Sequence, residues 1–249
     1  MRVLAIGYPL PNANIDNYTV LTAPSYFDYE AVIIDPASIT RSVQELLEGT
    51  REFEAQDGRP VVNAPTTASA VSAADQVRRR AEETQRLLEA GGVVIVMARP
   101  NATQPGLLGF EGCDRYSWLP APPGMSWGPP FLRPAEGKSL RVVADAHPLS
   151  HFLREQRPKL HYRAVFDDRQ APVRDGKVLA TSNANVPIAM EFEVLAGRVV
   201  FIPALSTETG NFRGEAAQQL VDAVGFLKRD TTPERAPTWA RALPLPGLE

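Results

Sequence analysis

The sequence predicts one α/β domain built on an open, mostly parallel, doubly wound sheet, with an antiparallel hairpin late in the chain. Three observations favour this fold class. Unbroken apolar runs over 2–7, 30–35 and 93–98 are typical of parallel strands that are covered on both faces. Helical spacing between these runs gives a β-α-β-α-β alternation, for which right-handed crossovers are the rule. A further apolar pattern over 188–202 indicates the hairpin.

Local patterns predict the elements of the N-terminal part. Residues 38–48 come soon after the second apolar run and have helical spacing. The clearest helix spans Ser72 to Ala90, where apolar side chains share one face and Arg and Glu occupy the other, and Gly91-Gly92 end it. A weaker alternation over Tyr18 to Ala23 predicts an additional strand.

The C-terminal part is richer in strands than in helices. A short helix is expected over His147 to Leu153, with Pro148 in its first turn, and a final helix over Gly214 to Leu227. The expected hairpin turns at Ala196-Gly197. The expected strands cover 140–144, 160–166, 177–181, 188–195 and 198–202.

The composition excludes several classes of protein. A chain of 249 residues buries about three-quarters of its unfolded surface, so that no disulfide or metal is needed for stability. Its 26 Lys and Arg against 29 Asp and Glu give a net charge of −3, which argues against nucleic acid or an anionic membrane as the main partner. With one cysteine and no apolar run long enough to span a bilayer, we expect a cytoplasmic protein.

Motifs for common cofactors and nucleophiles are missing. The first apolar run ends in Gly7-Tyr8-Pro9 with no second glycine, which argues against a dinucleotide site or a phosphate-binding loop. No GxSxG or HExxH motif occurs. Cys113 has no neighbouring histidine in the sequence, and we expect a small apolar group there, not a nucleophile. We therefore expect no cofactor and no recognisable catalytic residue.

Proline divides the chain into three parts. The 23 prolines crowd into residues 100–134 and into the C-terminal tail. Proline cannot donate to a helix or sheet ladder. We therefore assign residues 1–229 to the α/β domain and 230–249 to an extended tail. Within the domain, residues 100–134 form a loop-rich excursion.

Tryptophans lie among these prolines. Trp118 and Trp127 in the excursion, and Trp239 in the tail, are candidate partner-binding residues, because exposed aromatic groups mark interaction surfaces. The favoured interpretation is that the excursion covers the edge of the sheet, and that Trp239 docks onto the domain or onto a partner.

The three histidines, His147, His151 and His161, lie close together in the sequence, with Asp145 nearby. The four-residue spacing of the first two could place two metal ligands on one face of a helix. Pro148 sets His147 before that helix, so we expect no metal site. The favoured interpretation is a packing motif at the start of a helix, with surface histidines.

The carboxyl edge of the predicted sheet is the expected binding site, because ligands of parallel sheets bind beyond the carboxyl ends of the strands. The ligand-binding candidates are the polar residues that follow predicted strands at that edge: Asp35, Arg99, Asn101, Thr207 and Glu208.

The segments EAVIIDP, VVIVMA and PIAMEFEVLAGRVVFIPAL together resemble the class I glutamine amidotransferase-like superfamily, whose fold is flavodoxin-like. That family ends a late strand in Phe-His-Pro-Glu and carries its cysteine nucleophile on a Gly-x-Cys-x-Gly elbow. Phe201 and Pro203 match the first motif, whereas Ile202 and Ala204 replace the histidine and the glutamate. Residues 97–100 stand at the elbow and contain neither cysteine nor glycine. The resemblance therefore implies the fold without the glutaminase chemistry.

The sequence accordingly predicts a catalytically inactive amidotransferase-like domain that binds a small ligand or a protein partner. One alternative is a hydrolase whose chemistry rests on Asp35, Arg99 and Glu208. Another is a metal-dependent enzyme, which requires the three histidines to converge. A deep pocket with convergent titratable groups would favour an enzyme. The sequence does not define the oligomeric state.

Overall fold

The computed structural model of the protein describes residues 1–38, 51–54, 60–63, 67–101, 115–208 and 210–228. The predicted helix over 38–48 lies outside these residues apart from Ser38, as do Cys113 and the tail with Trp239. No helix within these ranges has the length and apolar character needed to cross a membrane.

Strands dominate the described chain. In chain order they are β1 (Val3–Ile6), β2 (Ile15–Tyr18), β3 (Ala31–Ile34), β4 (Arg51–Glu54), β5 (Pro60–Asn63), β6 (Val93–Met97), β7 (Leu132–Gly137), β8 (Arg141–Val142), β9 (Leu160–Phe166), β10 (Lys177–Thr181), β11 (Pro187–Val194), β12 (Gly197–Ile202) and β13 (Ala204–Leu205). The described α-helices are α1 (Thr67–Glu89), α2 (Ser150–Glu155), α3 (Ala171–Arg174) and α4 (Phe212–Leu227).

The main sheet has eight strands in the order β2-β1-β3-β6-β12-β11-β10-β8. Neighbours from β2 to β12 pair in parallel, and the pairings from β12 to β8 are antiparallel. β1, β3, β6 and β12 lie side by side and are almost completely buried. This confirms that the three apolar runs and the strand expected over 198–202 form neighbouring strands at the centre of a mixed α/β structure.

Side chains that alternate along the central strands pack into two separate cores. Ile33 and Ile95 belong to the core under α4 and α2. Their neighbours Val32 and Val94 belong to the opposite core, which contains the last turns of α1 and the buried aromatic residues of the excursion. Both faces of the sheet are therefore covered, which explains why its central strands lack the polar alternation of a half-exposed sheet.

A smaller antiparallel sheet has the order β13-β9-β7. The sequence analysis did not predict β7, which lies at the end of the excursion, or β13, which follows β12 after only Pro203. Ala204 pairs with His161 across β13 and β9. This pairing places β9 beside the carboxyl end of β12, where ligands are expected. A separate hairpin joins β4 and β5.

The tryptophans of the excursion are in the interior. Trp118 and Trp127 are only 1% and 3% exposed. Their indole N–H groups donate to the backbone carbonyls of Arg115 and Leu119, respectively. Trp127 packs against Phe201 of β12 with 4.7 Å between ring centroids. Both indoles therefore cover a face of the sheet, as the favoured interpretation has it, and this burial argues against Trp118 and Trp127 as partner-binding residues.

The strand expected over Tyr18 to Ala23 was placed too late in the chain. The strand is β2, which ends at Tyr18, and a turn follows it. Thr19 and Thr22 each accept a hydrogen bond from the other's backbone N–H, and their hydroxyls lie 2.9 Å apart. Such side-chain to backbone bonds compete with extended structure and stabilise the turn.

Other boundaries differ by a few residues. The β11–β12 turn is formed by Leu195 and Ala196, one residue earlier than expected, with Leu195 at a φ of 58°. α2 begins at Ser150, so Pro148 precedes the helix and is not in its first turn. α1 begins at Thr67, five residues before the expected Ser72, and α4 begins at Phe212 instead of Gly214.

Truncation of Trp127 to alanine tests the packing of the excursion on the sheet. We expect Trp127→Ala to lower the free energy of unfolding by about 3–5 kcal/mol, because it leaves a large cavity among aromatic rings. The matched control is Phe226→Ala, which removes an aromatic ring that is 79% exposed and should change stability by less than about 0.5 kcal/mol. Chemical denaturation measures both, and equal effects would contradict the core position of Trp127.

Candidate functional site

A pocket of about 180 Å³ lies beyond the carboxyl ends of β6 and β12, where the main sheet meets the smaller one. Its apolar part comes from β9 and β13, with Leu160, Ala204 and Leu205. Its charged part is dominated by cations. The ionisable side chains that line it are Arg99, Lys138, Lys159, His161, Arg163 and Glu208.

Arg99 is fixed by a two-pronged ion pair with Asp35. Arg99 comes two residues after β6, and Asp35 comes directly after the adjacent strand β3. The Arg99 Nε and Nη2 atoms donate to Asp35 Oδ1 and Oδ2 at 3.1 and 2.7 Å. Both side chains are mostly buried. Such bidentate pairs fix the plane of the guanidinium group as well as its position.

Asp35 is itself held by a tight turn. Its Oδ1 accepts from the backbone N–H of Ala37 at 3.1 Å, and its carbonyl accepts from the Ser38 hydroxyl at 2.6 Å. Gly7, after β1, has a φ of +78° and passes so close to Ser38 that any side chain at position 7 would collide with it. Glycine is therefore required at the end of the first apolar run, because it allows the backbone of this turn to pass close to position 7.

Tyr116 of the excursion fixes the backbone of Arg99. The Tyr116 hydroxyl accepts from the Arg99 N–H at 3.0 Å and donates to the Arg99 carbonyl at 2.6 Å. The ring is 2% exposed and lies 6.0 Å from the Phe201 ring. Burial raises the pKa of Tyr116, so its hydroxyl remains a donor at neutral pH. The excursion thus orients the guanidinium group that lines the pocket.

The segment after β13 is tied to the end of β1. The Tyr8 hydroxyl donates to the Ser206 carbonyl at 2.5 Å. Arg213 of α4 donates from Nη2 to the Thr207 carbonyl at 2.7 Å and stacks 5.0 Å above the Tyr8 ring. Burial raises the pKa of Tyr8 despite the nearby Arg213 charge. These contacts fix one wall of the pocket, from Ser206 to Glu208.

Most of the cations at the rim of the pocket are paired with carboxylates. Lys159 donates from Nζ to Glu208 Oε2 at 2.9 Å, and this bond lowers the pKa of Glu208. Arg163 donates to Glu136 Oε1 at 3.1 Å. Lys138 also lines the pocket and makes no direct ion pair with any described residue.

His161 lies among these charges. Its Nε2 is 3.3 Å from Glu136 Oε1, and its side chain is about one-quarter exposed, at 26%. Partial burial lowers the pKa of His161, and the positive charges of Arg163, Lys138 and Arg99 lower it further against the opposing effect of Glu136. The imidazole is therefore neutral at neutral pH, because its ordinary pKa is about 6.5.

The structure brings together most of the ligand-binding candidates. Arg99, Thr207 and Glu208 line the pocket, and Asp35 supports Arg99 from outside the lining. Asn101 packs against the excursion, where a side chain at Gly128 would meet its amide nitrogen at 2.9 Å. The carboxyl edge of the sheet is thus where these polar groups converge, as its strand pattern predicts.

Sequence reasoning missed the second half of the pocket lining. Lys138, Lys159 and Arg163 were not singled out, and His161 was considered only as a metal ligand. One signal was available, because His161 and Arg163 alternate along the strand predicted over 160–166 and therefore share one face of it. Lys159 directly precedes that strand. What was missing was the pairing of β9 with β13, which is long-range and has no local signature.

His147 has a structural role. Its Nδ1 accepts from the Leu149 N–H at 3.2 Å, so its Nε2 carries the proton that is donated to Glu191 at 2.6 Å. Burial raises the pKa of Glu191, but the His147 hydrogen bond and the Arg198 charge outweigh it, and the net shift is downward. His147 is therefore buried and not a surface histidine.

The histidines do not converge on a metal site. His147 is buried against Glu191, His151 is exposed on α2, and His161 lines the pocket. Within the described ranges, no group of three or more His, Cys, Asp and Glu side chains could hold a metal ion. The described arrangement thus lacks the ligand geometry that the metal-dependent alternative requires.

Two positions that the resemblance aligns with the amidotransferase triad are apolar here. Ile202 is fully buried in the core under α4. Ala204 forms part of the pocket lining. The elbow position carries Arg99, which is a cation and not a nucleophile.

No model of a known protein family matches the chain, and no curated protein matches it. The solved structures that are similar to it include two bacterial proteins. The cytoplasmic protein STM3548 from Salmonella typhimurium is 14% identical, with 92% of this chain and 100% of that chain covered and a TM-score of 0.48. The cytoplasmic protein STM1381 from Salmonella typhimurium LT2 is 13% identical, with the same coverage of 92% and 100% and a TM-score of 0.45. At these values neither likeness bears on the chemistry of the pocket.

Removal of one hydroxyl tests the role of Tyr116. We expect Tyr116→Phe to lower the free energy of unfolding by about 1–3 kcal/mol, because the Arg99 N–H and carbonyl lose their partner. Tyr18→Phe is the control, since Tyr18 is 42% exposed. Thermal denaturation compares the two variants. If both variants are as stable as the unchanged protein, the Tyr116 hydroxyl does not hold Arg99.

Proposed function

We propose that the protein is a catalytically inactive binding module that takes a small anionic ligand in the pocket at the carboxyl edge of its sheet. The observation that carries the proposal is the charge of the lining. Four cationic side chains, Arg99, Lys138, Lys159 and Arg163, line the pocket with one carboxylate, Glu208. Asp35 and Glu136 pair with Arg99 and Arg163, so the charges of these side chains sum to one net positive charge. Because the protein as a whole has a net charge of −3, this local excess of positive charge is not a reflection of composition.

The size of the pocket supports a compact ligand. The pocket volume is about 180 Å³. Pockets that bury drug-sized ligands are larger, at about 300–1,000 Å³. The pocket is therefore better suited to an inorganic oxyanion, or to the charged end group of a metabolite, than to a large cofactor.

The charge pairing favours binding over hydrolysis by Asp35, Arg99 and Glu208. A hydrolase of this kind needs a carboxylate that is able to take a proton from water. Asp35 accepts two hydrogen bonds from Arg99, and Glu208 accepts one from Lys159, which lowers its pKa. Both carboxylates are committed to cations and support the position of those cations, and the lowered pKa makes Glu208 a poor proton acceptor.

We also propose that the fold is doubly wound and flavodoxin-like, as in the amidotransferase-like superfamily. The parallel strands, counted in chain order, stand as second, first, third, fourth and fifth across the sheet. This is the flavodoxin-like order. The helices on both faces support the same proposal.

Sulfate is a direct probe of the proposed site, because it keeps its double charge across the neutral range. We expect sulfate to bind in calorimetry and Lys138→Met to weaken that binding about three- to fivefold, since one unpaired cation is removed. The matched control is Lys177→Met, which removes an exposed lysine of β10 that does not line the pocket. Sulfate binding that is absent, or weakened equally by both substitutions, would contradict the proposal.

We further expect no glutaminase activity. Amide hydrolysis by the amidotransferase mechanism needs a nucleophile beside a base, and Ile202, Ala204 and Arg99 stand where the family has its catalytic groups. Ammonia release from glutamine is the measurement, with Cys113→Ser as the comparison. Turnover that disappears in the Cys113→Ser variant would overturn the inactive-domain proposal and identify Cys113 as a relocated nucleophile.

A further inference from the structure

His161 is the titratable group at the centre of the pocket charges. It lies on β9 with Arg163 two residues further on, and Lys159 ends the short 3-10 helix directly before β9. All three side chains line the pocket. Alternate residues of a strand project to the same side. The imidazole therefore shares one surface with two permanent cations, at a place where any bound anion would also lie.

The charged groups around His161 come from every neighbouring element. Its own strand contributes Arg163, β7 contributes Glu136, and the segment after β7 contributes Lys138. Arg99 follows β6, and Lys159 and Glu208 belong to the rest of the lining. Partial burial is the main cause of the lowered pKa of His161, and the cations, which exceed the carboxylates, lower it further while the pocket holds no anion.

A charge count suggests the ligand that fits. Three of the four cations have a carboxylate partner, in the pairs Arg99 with Asp35, Lys159 with Glu208 and Arg163 with Glu136. Lys138 remains as one unpaired positive charge among the described residues. Protonation of His161 would supply a second positive charge and a second N–H donor. Two positive charges match a dianion.

We propose that the pocket binds a compact dianion of the phosphoryl or sulfuryl class together with one proton, which His161 takes up. This inference rests on the proposed anion-binding function and adds to it the charge of the ligand and the residue that selects for that charge. The proton comes from solvent and is bound at the imidazole nitrogen that the neutral ring leaves unprotonated. A monoanion would give less compensation for the second positive charge, so it would bind more weakly.

The sign of the pH dependence follows from linkage. The pKa of His161 lies below its ordinary value in the free protein and rises when an anion binds beside it. Binding is therefore tighter at acid pH and weakens as the pH increases through the pKa of the bound state. A rise of about one unit in pKa corresponds to about a tenfold change in affinity.

The test is calorimetric titration with sulfate at about pH 6 and about pH 8, where sulfate itself does not titrate while a free imidazole does. Each titration is repeated in two buffers of different ionisation enthalpy, which gives the number of protons taken up. We expect sulfate to bind about five- to tenfold more tightly at the lower pH with net proton uptake, and to bind more tightly than nitrate.

Two histidine variants separate His161 from other titrating groups. His161→Gln should bind sulfate with the same affinity at both pH values and without proton uptake. His151→Gln, which changes an exposed histidine of α2 outside the pocket lining, should behave as the unchanged protein does. Sulfate binding that is independent of pH, equal affinity for nitrate, or retained proton uptake in His161→Gln would overturn this inference while leaving the anion site intact. Failure to bind sulfate at either pH would overturn the proposed function itself.

Discussion

The structure around the pocket depends on a cluster of five aromatic rings in the core that contains the last turns of α1. Phe192 and Phe201 come from the main sheet, Phe166 from the smaller sheet, and Tyr116 and Trp127 from the excursion. Ring centroids within the cluster lie 4.7–6.3 Å apart, mostly in tilted or edge-on arrangements that aromatic pairs prefer. The cluster therefore joins three parts of the chain that are distant in sequence, and it fixes where the two sheets meet.

The positions of the charged side chains at the pocket follow from this packing. The Tyr116 ring is held in the cluster, its hydroxyl fixes the Arg99 backbone, and the Arg99 guanidinium is paired with Asp35. On the other side, β13 continues the chain from β12 and brings β9, with His161, to the same place. A ligand would thus meet cations that are already positioned, and preorganised charges lose little entropy on binding.

The sequence predicts the centre of this structure better than its periphery. Unbroken apolar runs such as 93–98 predict a strand that is covered on both faces. The polar residues that follow such parallel strands lie at one edge of the sheet. Arg99 and Glu208 could be found in that way. The pairing of β9 with β13 could not, because strand partners are chosen by long-range packing. Trp127 was ambiguous for the same reason, since a tryptophan in a proline-rich loop is exposed or buried according to what the loop packs against.

A crystal structure of the protein with selenate is the most direct test of the central claim that this pocket holds a compact dianion. Selenate has the shape and charge of sulfate, and its selenium atom can be located by anomalous diffraction. The account predicts the strongest anomalous peak inside the pocket, within hydrogen-bonding distance of the Lys138 ammonium and the His161 imidazole. An empty pocket at a selenate concentration that saturates binding in solution, with the peak at another surface, would contradict it.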